Sequence, residues 1–215
     1  MSEETDLAGL ERRLLDWPGK GRVLLAIAGA PGAGKSTTAR ALVTGLNRAR
    51  AGCAALLEMD GFHYDDRLLS ALGRQARKGA PDTFDVAGLR HMLARLRDPA
   101  EGAIAVPVFD REIEIGRAGA ALIAPESRII VVEGNYLLLD RPPWAQLADA
   151  FDMTVMLRVA PETLRARLTA RWRALGLSSD EIRDKVEGND LPNGALVAAQ
   201  SRPADFTLKS EGHSS

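Results

Sequence analysis

Short apolar runs alternate with amphipathic stretches along the chain. The run at residues 22–29, RVLLAIAG, is continuous and has the length of one buried strand. An alternation of such runs with helical stretches is typical of a parallel sheet covered by helices. The sequence therefore predicts an α/β fold with a doubly wound, mainly parallel sheet. Its strands are predicted at residues 22–29, 54–59, 128–139, 153–159 and 204–210.

The amphipathic stretches between these runs predict the helices. In residues 86–97, Leu89, Leu93 and Leu96 recur on one helical face, and Asp85 precedes them in the position of an N-cap. Residues 103–115 and 120–126 look like an extended pair, which is the pattern of a hairpin. Further helices are predicted within residues 1–20, from Lys35 to about Arg50, and from Pro161 to a stop at Gly176.

Size and charge place the chain among ordinary globular proteins. Its 215 residues suit one domain over residues 1–215, with 46% hydrophobic and 27% charged residues. The 28 basic and 29 acidic side chains give no basic field for nucleic acid, and no apolar run approaches the ~20 residues of a membrane span. We therefore expect neither nucleic acid nor membrane as a partner, while a homodimer stays open.

Cysteine content and the first residues bear on the compartment. Cys53 is the single cysteine, so an internal disulfide is excluded, and its apolar neighbours predict a buried, inert thiol. The first residues are acidic and lack the apolar core of a secretion signal. Together these features predict a reducing, cytoplasmic location.

A glycine-rich motif lies between the first predicted strand and the helix that follows it. Residues 29–37, GAPGAGKST, fit the pattern G-x-x-x-x-G-K-[ST] in its required setting after a strand and before a helix. Glycines let backbone N–H groups converge on phosphate oxygens, the lysine reaches the β- and γ-phosphates, and the hydroxyl coordinates Mg²⁺. This P-loop predicts binding of a nucleoside triphosphate. Its residues are Gly29, Ala30, Pro31, Gly32, Ala33, Gly34, Lys35, Ser36 and Thr37.

A P-loop does not by itself decide the activity, because kinases, switch GTPases and motor-type ATPases share it. The guanine signature N-K-x-D does not occur in the sequence. DVAG at residues 85–88 follows PDTF in place of a strand, so we interpret it as a helix cap. Three hypotheses remain: a small-molecule kinase, a partner-regulated NTPase, and a nucleotide-binding regulatory module without turnover.

Acidic residues stand at the ends of two apolar runs. Asp60 closes the strand after the P-loop unit, and Glu133 ends the run RIIVV. Ligands of doubly wound sheets bind at the carboxyl ends of strands, where Asp60 can accept a hydroxyl proton and Glu133 can hold the Mg²⁺ shell. The alternatives are a solvated loop acid and a buried structural acid. Beside Asp60, His63 and Tyr64 are expected to orient the acceptor molecule.

Further segments resemble the phosphoribulokinase/uridine kinase family over residues 23 to about 175. MDGFHYDD (59–66) resembles the family's acidic strand end, whose aspartate is the catalytic base, and this role carries over to Asp60. PDTFD (81–85) resembles an element near the acceptor site. VVEGNYLL (131–138) resembles the family's E-G strand, which implies an Mg²⁺-associated acid at Glu133.

The segment PVFDRE (107–112) resembles one that helps to bind the acceptor, although Phe109 stands where tyrosine is common. The resemblance implies Asp110 and Arg111 as acceptor contacts, and an ion pair between them is the alternative. RKGAPDTFD together with VEGNYLLLD also resembles bacterial proteins labelled fructose transport system kinases, with features similar to pantothenate kinases.

The segment after Pro161 departs from this family. In place of the R-D-x-x-x-R-G-R pattern of uridine kinases it contains RLTARWRALGLSSDEIRDKVEGNDLPNG, which weakens the case for uridine or cytidine as acceptor. We predict a helical lid within about residues 160–195. Arg167, Arg171 and Arg173 are candidate phosphate or acceptor contacts, and a solvated helix face is the alternative.

These observations predict an ATP-dependent phosphotransferase that moves the γ-phosphoryl group to a hydroxyl of a small metabolite. Asp60 is the predicted base and Lys35 the P-loop cation, with ATP and Mg²⁺ as cofactors. The candidate acceptors are a sugar, a nucleoside or a pantothenate-like alcohol, and the resemblance adds a fructose-related sugar. A lid would exclude water, which otherwise competes with the acceptor as nucleophile.

Overall fold

The computed structural model describes residues 2–98 and 100–209, and within them eight strands form two sheets. The strands are β1 (Glu3–Glu4), β2 (Val23–Gly29), β3 (Ala54–Glu58), β4 (Ile104–Asp110), β5 (Ile115–Ile123), β6 (Ile129–Gly134), β7 (Met153–Arg158) and β8 (Phe206–Lys209). Strands β4 and β5 form an antiparallel hairpin. The other six form one parallel sheet in the order β1-β8-β7-β2-β6-β3.

Helices connect the strands in the described ranges. They are α1 (Leu7–Leu15), α2 (Lys35–Ala49), α3 (Asp66–Ala71), α4 (Val86–Arg97), α5 (Pro161–Ala174), α6 (Ser179–Lys185) and α7 (Leu191–Gln200). A 3₁₀ turn, Met59–Phe62, directly follows β3, and a π-helical turn, Val186–Asp190, joins α6 to α7.

Strand β2 is apolar at every position because helices cover the sheet on both faces. Leu24 and Ala26 pack into the layer that contains α4 and the β4–β5 hairpin. Leu25 and Ile27, which point the other way, pack into the layer that contains α1, α2 and α5. A strand buried on both faces has no solvated side, so its sequence is a continuous apolar run. The predicted doubly wound α/β fold is confirmed.

Local capping sets the helix ends as the sequence predicts. The Asp85 carboxylate accepts a hydrogen bond of 2.8 Å from the Gly88 N–H, which confirms the interpretation of DVAG as a cap. Pro161 is the first residue of α5, where its missing N–H costs no helical hydrogen bond. Gly176 lies just past the end of that helix with φ of 82°, a left-handed conformation that glycine adopts without strain.

The strand predicted at residues 128–139 is too long. Strand β6 ends at Gly134, which pairs with Ala28 of β2. Both neighbouring strands end at this level, so residues 135–139 have no strand to pair with and fold into a turn. Their apolar side chains are buried in the helical layer instead, which explains why the sequence continues as a hydrophobic run.

Three other differences occur at short or weakly patterned elements. The prediction missed β1, whose two residues pair in parallel with β8, because two acidic side chains give no apolar signal. It also missed α3 and α7, and α7 contains Pro192 and Gly194, which are both poor helix formers. Helix α1 ends at Leu15, so Trp17 lies outside it.

The burial expected for Cys53 is observed. Cys53 is buried, and its Sγ donates to the Leu46 carbonyl at 3.4 Å, as expected for an inert thiol. Among the helices of residues 2–98 and 100–209, none combines the length and the apolar character needed to cross a bilayer.

Candidate active site

The candidate active site lies where β2, β6 and β3 end side by side. Glu133 pairs in register with Ile27 on one side and with Glu58 on the other, so the P-loop and the Asp60 turn begin on either side of it. A cavity of about 400 Å³ opens at this edge. Its walls come from the P-loop, the three strand ends, the β4–β5 hairpin, α5 and the start of α7.

The P-loop joins β2 to α2 through a turn that only glycine adopts easily. Gly32 and Gly34 have φ of 77° and 91°, in the left-handed region. Gly34 is the N-cap of α2, and no side chain caps this helix end. The first N–H groups of α2 and the positive end of its dipole are therefore free to bind phosphate oxygens. The predicted residues that line the cavity are Pro31, Gly32, Gly34, Lys35, Ser36 and Thr37, whereas Ala33 is buried in the core.

Lys35 is folded back onto the loop that carries it. Its side chain is buried, and Nζ donates to the Ala30 carbonyl at 3.0 Å. Burial lowers the pKa of this ammonium group, and the nearby carboxylates of Glu133 and Asp60 oppose that effect. The lysine is thus held at the cavity between the two acids that the sequence singles out.

Ser36 and Glu133 meet at the floor of the cavity. The Ser36 hydroxyl donates to Glu133 Oε1 at 2.8 Å, and the carboxylate is buried at the end of β6. Burial raises the pKa of Glu133 to about 7, although the Lys35 charge acts in the opposite direction. A hydroxyl and a carboxylate in contact are oxygen ligands of the kind that Mg²⁺ prefers, so these two residues fit the predicted metal site.

Asp60 is the second residue of the 3₁₀ turn after β3. Its Oδ2 accepts a hydrogen bond of 2.8 Å from Arg111 Nη2, and no hydrogen bond from the described residues reaches Oδ1. Burial by itself would raise the pKa of this carboxyl, but its basic neighbours outweigh burial and lower the pKa below its usual value. These neighbours are His63 in its protonated form, Arg111 and Lys35. The carboxylate therefore stays ionised and keeps one oxygen available to an acceptor.

Gly61 is glycine because the hairpin packs directly on the backbone of this turn. A Cβ at position 61 would lie 2.8 Å from the Pro107 carbonyl oxygen, and a Cβ at Gly116 would lie 2.8 Å from the Gly61 oxygen. The close approach brings Phe109 and Arg111 of the hairpin against Asp60. The hairpin therefore forms one wall of the cavity beside Asp60.

His63 is fixed between aromatic rings beside Asp60. Its ring centroid lies 4.0 Å from that of Phe84 and 4.9 Å from that of Phe109. Nδ1 lies 2.8 Å from the Asp60 carbonyl oxygen, which only accepts, so Nδ1 carries the proton and donates. Burial lowers the pKa of the imidazole, against the nearby Asp60. The neutral ring then presents Nε2 as an acceptor.

Helix α5 contributes two of the three predicted arginines to the cavity. Arg167 and Arg171 line it, one turn apart, and Arg167 Nη1 lies 3.4 Å from the Ala33 carbonyl oxygen. Arg173 is exposed and does not line the cavity. Trp172 of the same helix also lines the cavity, and its Nε1 donates to Asp190 Oδ2 at 2.7 Å.

Two of the predicted acceptor residues lie beside the cavity and do not line it. Asp110 accepts a hydrogen bond of 3.1 Å from Arg117, so the ion pair that the sequence allowed between Asp110 and Arg111 is not formed. Asp110 instead pairs within the hairpin with Arg117 on β5, and Arg111 pairs with Asp60 of the turn after β3. Tyr64 is half-buried, and its backbone N–H donates to the Thr83 carbonyl.

Sequence reasoning missed several polar residues of the cavity wall. They are Lys78, Glu114, Asn135, Asp190 and Asn193. Lys78 and Asn135 fall inside the segments RKGAPDTFD and VVEGNYLL, so their position in those segments was the available signal. The other three have no local pattern that separates them from solvated loop residues.

A set of three hydrogen bonds, called here the carbonyl clasp, ties the predicted lid segment and the turn after β6 to the carbonyls of Lys78 and Gly79. Tyr136 Oη donates to the Gly79 carbonyl at 2.6 Å, Asn189 Nδ2 to the Lys78 carbonyl at 2.9 Å, and Asn193 Nδ2 to the Gly79 carbonyl at 3.4 Å. Both asparagines are buried. Asn189 and Asn193 lie four positions apart, one in the π-helical turn and one in α7, so both side chains reach the same peptide segment.

Helix α7 also packs on the P-loop. A Cβ on Gly194 would lie 3.3 Å from the Cβ of Ala30. Glycine at this position therefore lets the helix approach the phosphate-binding loop closely. The same helix thus contacts the P-loop through one residue and the Lys78–Gly79 segment through the preceding one.

Comparison with known proteins gives consistent matches. The model of the phosphoribulokinase/uridine kinase family matches residues 24–210. A provisionally named uridine kinase of Schizosaccharomyces pombe is 34% identical over 196 residues, which cover 87% of this chain and 83% of that protein. A pantothenate kinase of Enterococcus faecalis is 29% identical over 154 residues, which cover 71% of this chain and 50% of that protein.

Among solved structures, the crystal structure of a provisionally named fructose transport system kinase from Silicibacter sp. TM1040 is 41% identical. It superposes with a TM-score of 0.87 and covers 94% of this chain and 98% of that chain.

Proposed function

Because the chain belongs to the phosphoribulokinase/uridine kinase family and is therefore a phosphotransferase, we propose that it moves the γ-phosphoryl group of ATP to a hydroxyl that the acceptor presents to Asp60. The observation that carries this proposal is the shared cavity. One cavity is lined by the P-loop at one end and by an ionised carboxylate with an open oxygen at the other. A kinase needs this arrangement, because donor and acceptor must meet in line.

The residues of this chain divide the catalytic work. The P-loop N–H groups and Lys35 bind the phosphate oxygens and stabilise the charge that develops on them. Asp60 orients the acceptor hydroxyl and takes its proton while the acceptor oxygen bonds to the γ-phosphorus and the bond to ADP breaks. Neutral His63, held by its Nδ1 hydrogen bond, orients the acceptor through Nε2.

Ser36 and Glu133 are the residues that would hold Mg²⁺. When bound there, the ion would neutralise phosphate charge and hold the phosphates in position. Their 2.8 Å contact at the foot of the P-loop supports this assignment.

A panel of acceptors tests the proposed function. Purified protein with ATP and Mg²⁺ is mixed in turn with sugars, nucleosides and pantothenate-like alcohols, and ADP release is measured against a reaction without acceptor. Release that depends on one class of acceptor supports a small-molecule kinase. Hydrolysis that responds only to a protein partner would favour the regulated NTPase, and tight ATP binding without any turnover would favour the regulatory module.

The lid arginine Arg171 gives a prediction of its own. We expect Arg171→Ala to lower acceptor-dependent ADP formation by ~10²-fold, because one positive group that faces the transferring phosphoryl group is lost. The melting temperature should hardly change, since the side chain is exposed and lies along the Trp172 ring, 5.2 Å from its centroid.

Arg173→Ala is the matched control for this prediction. Arg173 lies on the same helix and carries the same charge, but it is exposed and outside the cavity. The control should keep wild-type kinetics. Equal rates for wild-type protein and the Arg171 variant would contradict a role in transfer and would support a solvated arginine.

A further inference from the structure

Glu114 has an unusual backbone conformation at the acceptor end of the cavity. Its φ is 54°, and among the described residues it is the only one other than glycine with φ in the left-handed region. It lies in the turn between β4 and β5 and lines the cavity. A glutamate in this conformation is strained relative to glycine, and such strain persists only where surrounding contacts impose it.

Lys78 supplies the contact that holds this turn. Its Nζ donates to the Glu114 backbone carbonyl and, at 2.6 Å, to Asp66 Oδ1. The Lys78 side chain is only 13% exposed, so both bonds are formed largely out of solvent. The lysine therefore fixes the backbone of Glu114 and is itself neutralised by Asp66.

The carboxylate of Glu114 is left to the cavity. Within residues 2–98 and 100–209 it takes part in no hydrogen bond or ion pair, and its charge acts on the neighbouring His63. The two cations at this end are both engaged, Lys78 with Asp66 and Arg111 with Asp60 at 2.8 Å. An anionic group entering here would meet an unpaired carboxylate and would have to draw Arg111 away from Asp60.

A molecule with hydroxyl groups, unlike an anion, is favoured at this end of the cavity. Each hydroxyl can donate to the Glu114 carboxylate or to Nε2 of the neutral His63 ring, and the bond to the charged carboxylate is the stronger kind. The rings of Phe84 and Phe109 on either side of His63 offer an apolar surface for C–H groups. The wall therefore suits a small compound with several hydroxyls and an apolar face.

We propose that Glu114 is an acceptor-binding residue that selects uncharged polyhydroxylated acceptors over those with a phosphate or carboxylate group at this end. The inference rests on the proposed kinase function. In this proposal the geometry of one turn determines the class of acceptor. Lys78 holds the backbone of the turn, and the Glu114 carboxylate is presented to the incoming hydroxyls.

Matched acceptor pairs test this proposal on the wild-type protein. D-Fructose is compared with fructose 6-phosphate, and ribose and uridine are compared with ribose 5-phosphate, glycerate and pantothenate, by ADP release with ATP and Mg²⁺. We expect the higher kcat/KM with uncharged polyols. A preference for the phosphorylated or carboxylated compounds would overturn the assignment of acceptor class.

Variants of the turn then test the residue itself. With the best acceptor of the panel, Glu114→Gln should raise the acceptor KM by ~10- to 100-fold, the effect of losing hydrogen bonds to a charged group, with little change in the KM for ATP. Glu114→Gly should raise the acceptor KM as well, while the melting temperature holds or rises because glycine relieves the strained φ. A merely structural glutamate predicts the same stability change with an unchanged KM.

Glu112→Gln is the control, since Glu112 is exposed in the same turn and does not line the cavity. It should behave as wild type. An unchanged acceptor KM in both Glu114 variants, with turnover intact, overturns the role of Glu114 but leaves the kinase function standing. If the wild-type protein binds ATP and phosphorylates none of the compounds, the proposed function fails, and this inference fails with it.

Discussion

Replacement of Asp60 by asparagine is expected to lower kcat by ~10²- to 10⁴-fold, the usual range for the loss of a general base, while ATP binding is kept. Asparagine has nearly the same shape as the aspartate, but it cannot take the proton of the acceptor hydroxyl. The side chain of Arg111, which is 46% exposed, can turn to solvent once its partner is neutral, so the fold should be preserved. The measurement is kcat at saturating acceptor, with nucleotide affinity determined separately.

His63→Ala is the comparison that assigns the roles. Because His63 is neutral and tied through Nδ1 to a backbone carbonyl, we expect its loss to raise the acceptor KM and to lower kcat far less than Asp60→Asn does. If His63→Ala abolished transfer while Asp60→Asn left it largely intact, the two roles would have to be exchanged.

Lys35→Ala should lower turnover by at least ~10²-fold, because the cation that stabilises the β- and γ-phosphates is removed. The lysine is buried between acids, so a melting curve must accompany the rate measurement. Arg40→Ala is a suitable control: Arg40 lies on the same helix, pairs with Glu58 on the surface and does not line the cavity. Near-normal turnover in a folded Lys35 variant would refute the assignment of the P-loop.

The parts of the fold that depend on local pattern could be predicted from the sequence. Strand β2 runs from Val23 to Gly29 against a predicted 22–29, and α2 begins at Lys35 as expected. The proximity of Ser36 and Glu133 could also be predicted, because a parallel sheet can place the ends of β2 and β6 side by side. These features need only the period of the hydrophobic pattern and the rule that ligands bind at strand ends.

The partners of the charged residues could not be predicted in the same way. Arg111 lies 51 positions after Asp60, and nothing in PVFDRE distinguishes a pair with its neighbour Asp110 from a pair across the fold. The outcome depends on how closely the hairpin docks on Gly61, which is a tertiary property. The strained backbone of Glu114 likewise depends on the hydrogen bond from Lys78, 36 positions earlier, so the residues next to Glu114 do not predict it.

The segment predicted as a lid is a third case in which the sequence does not predict the local structure. The pattern of residues 161–176 predicts α5. The residues after it contain glycines and a proline, and their pattern does not predict a π-helical turn that continues into α7. Tertiary hydrogen bonds to the Lys78 and Gly79 carbonyls stabilise the π-helical turn and α7, whereas the helix propensity of their own residues does not.

The position of α7 has a consequence for affinity. The helix joins the carbonyl clasp through Asn193 and contacts Ala30 of the P-loop through Gly194, so one rigid element touches both the acceptor wall and the phosphate loop. Any displacement of α7 by one ligand alters the binding free energy of the other, and thermodynamic linkage requires the effect to be equal in both directions. We therefore expect nucleotide and acceptor to be coupled ligands, and the coupling factor to be measured is the ratio of acceptor dissociation constants with and without bound nucleotide.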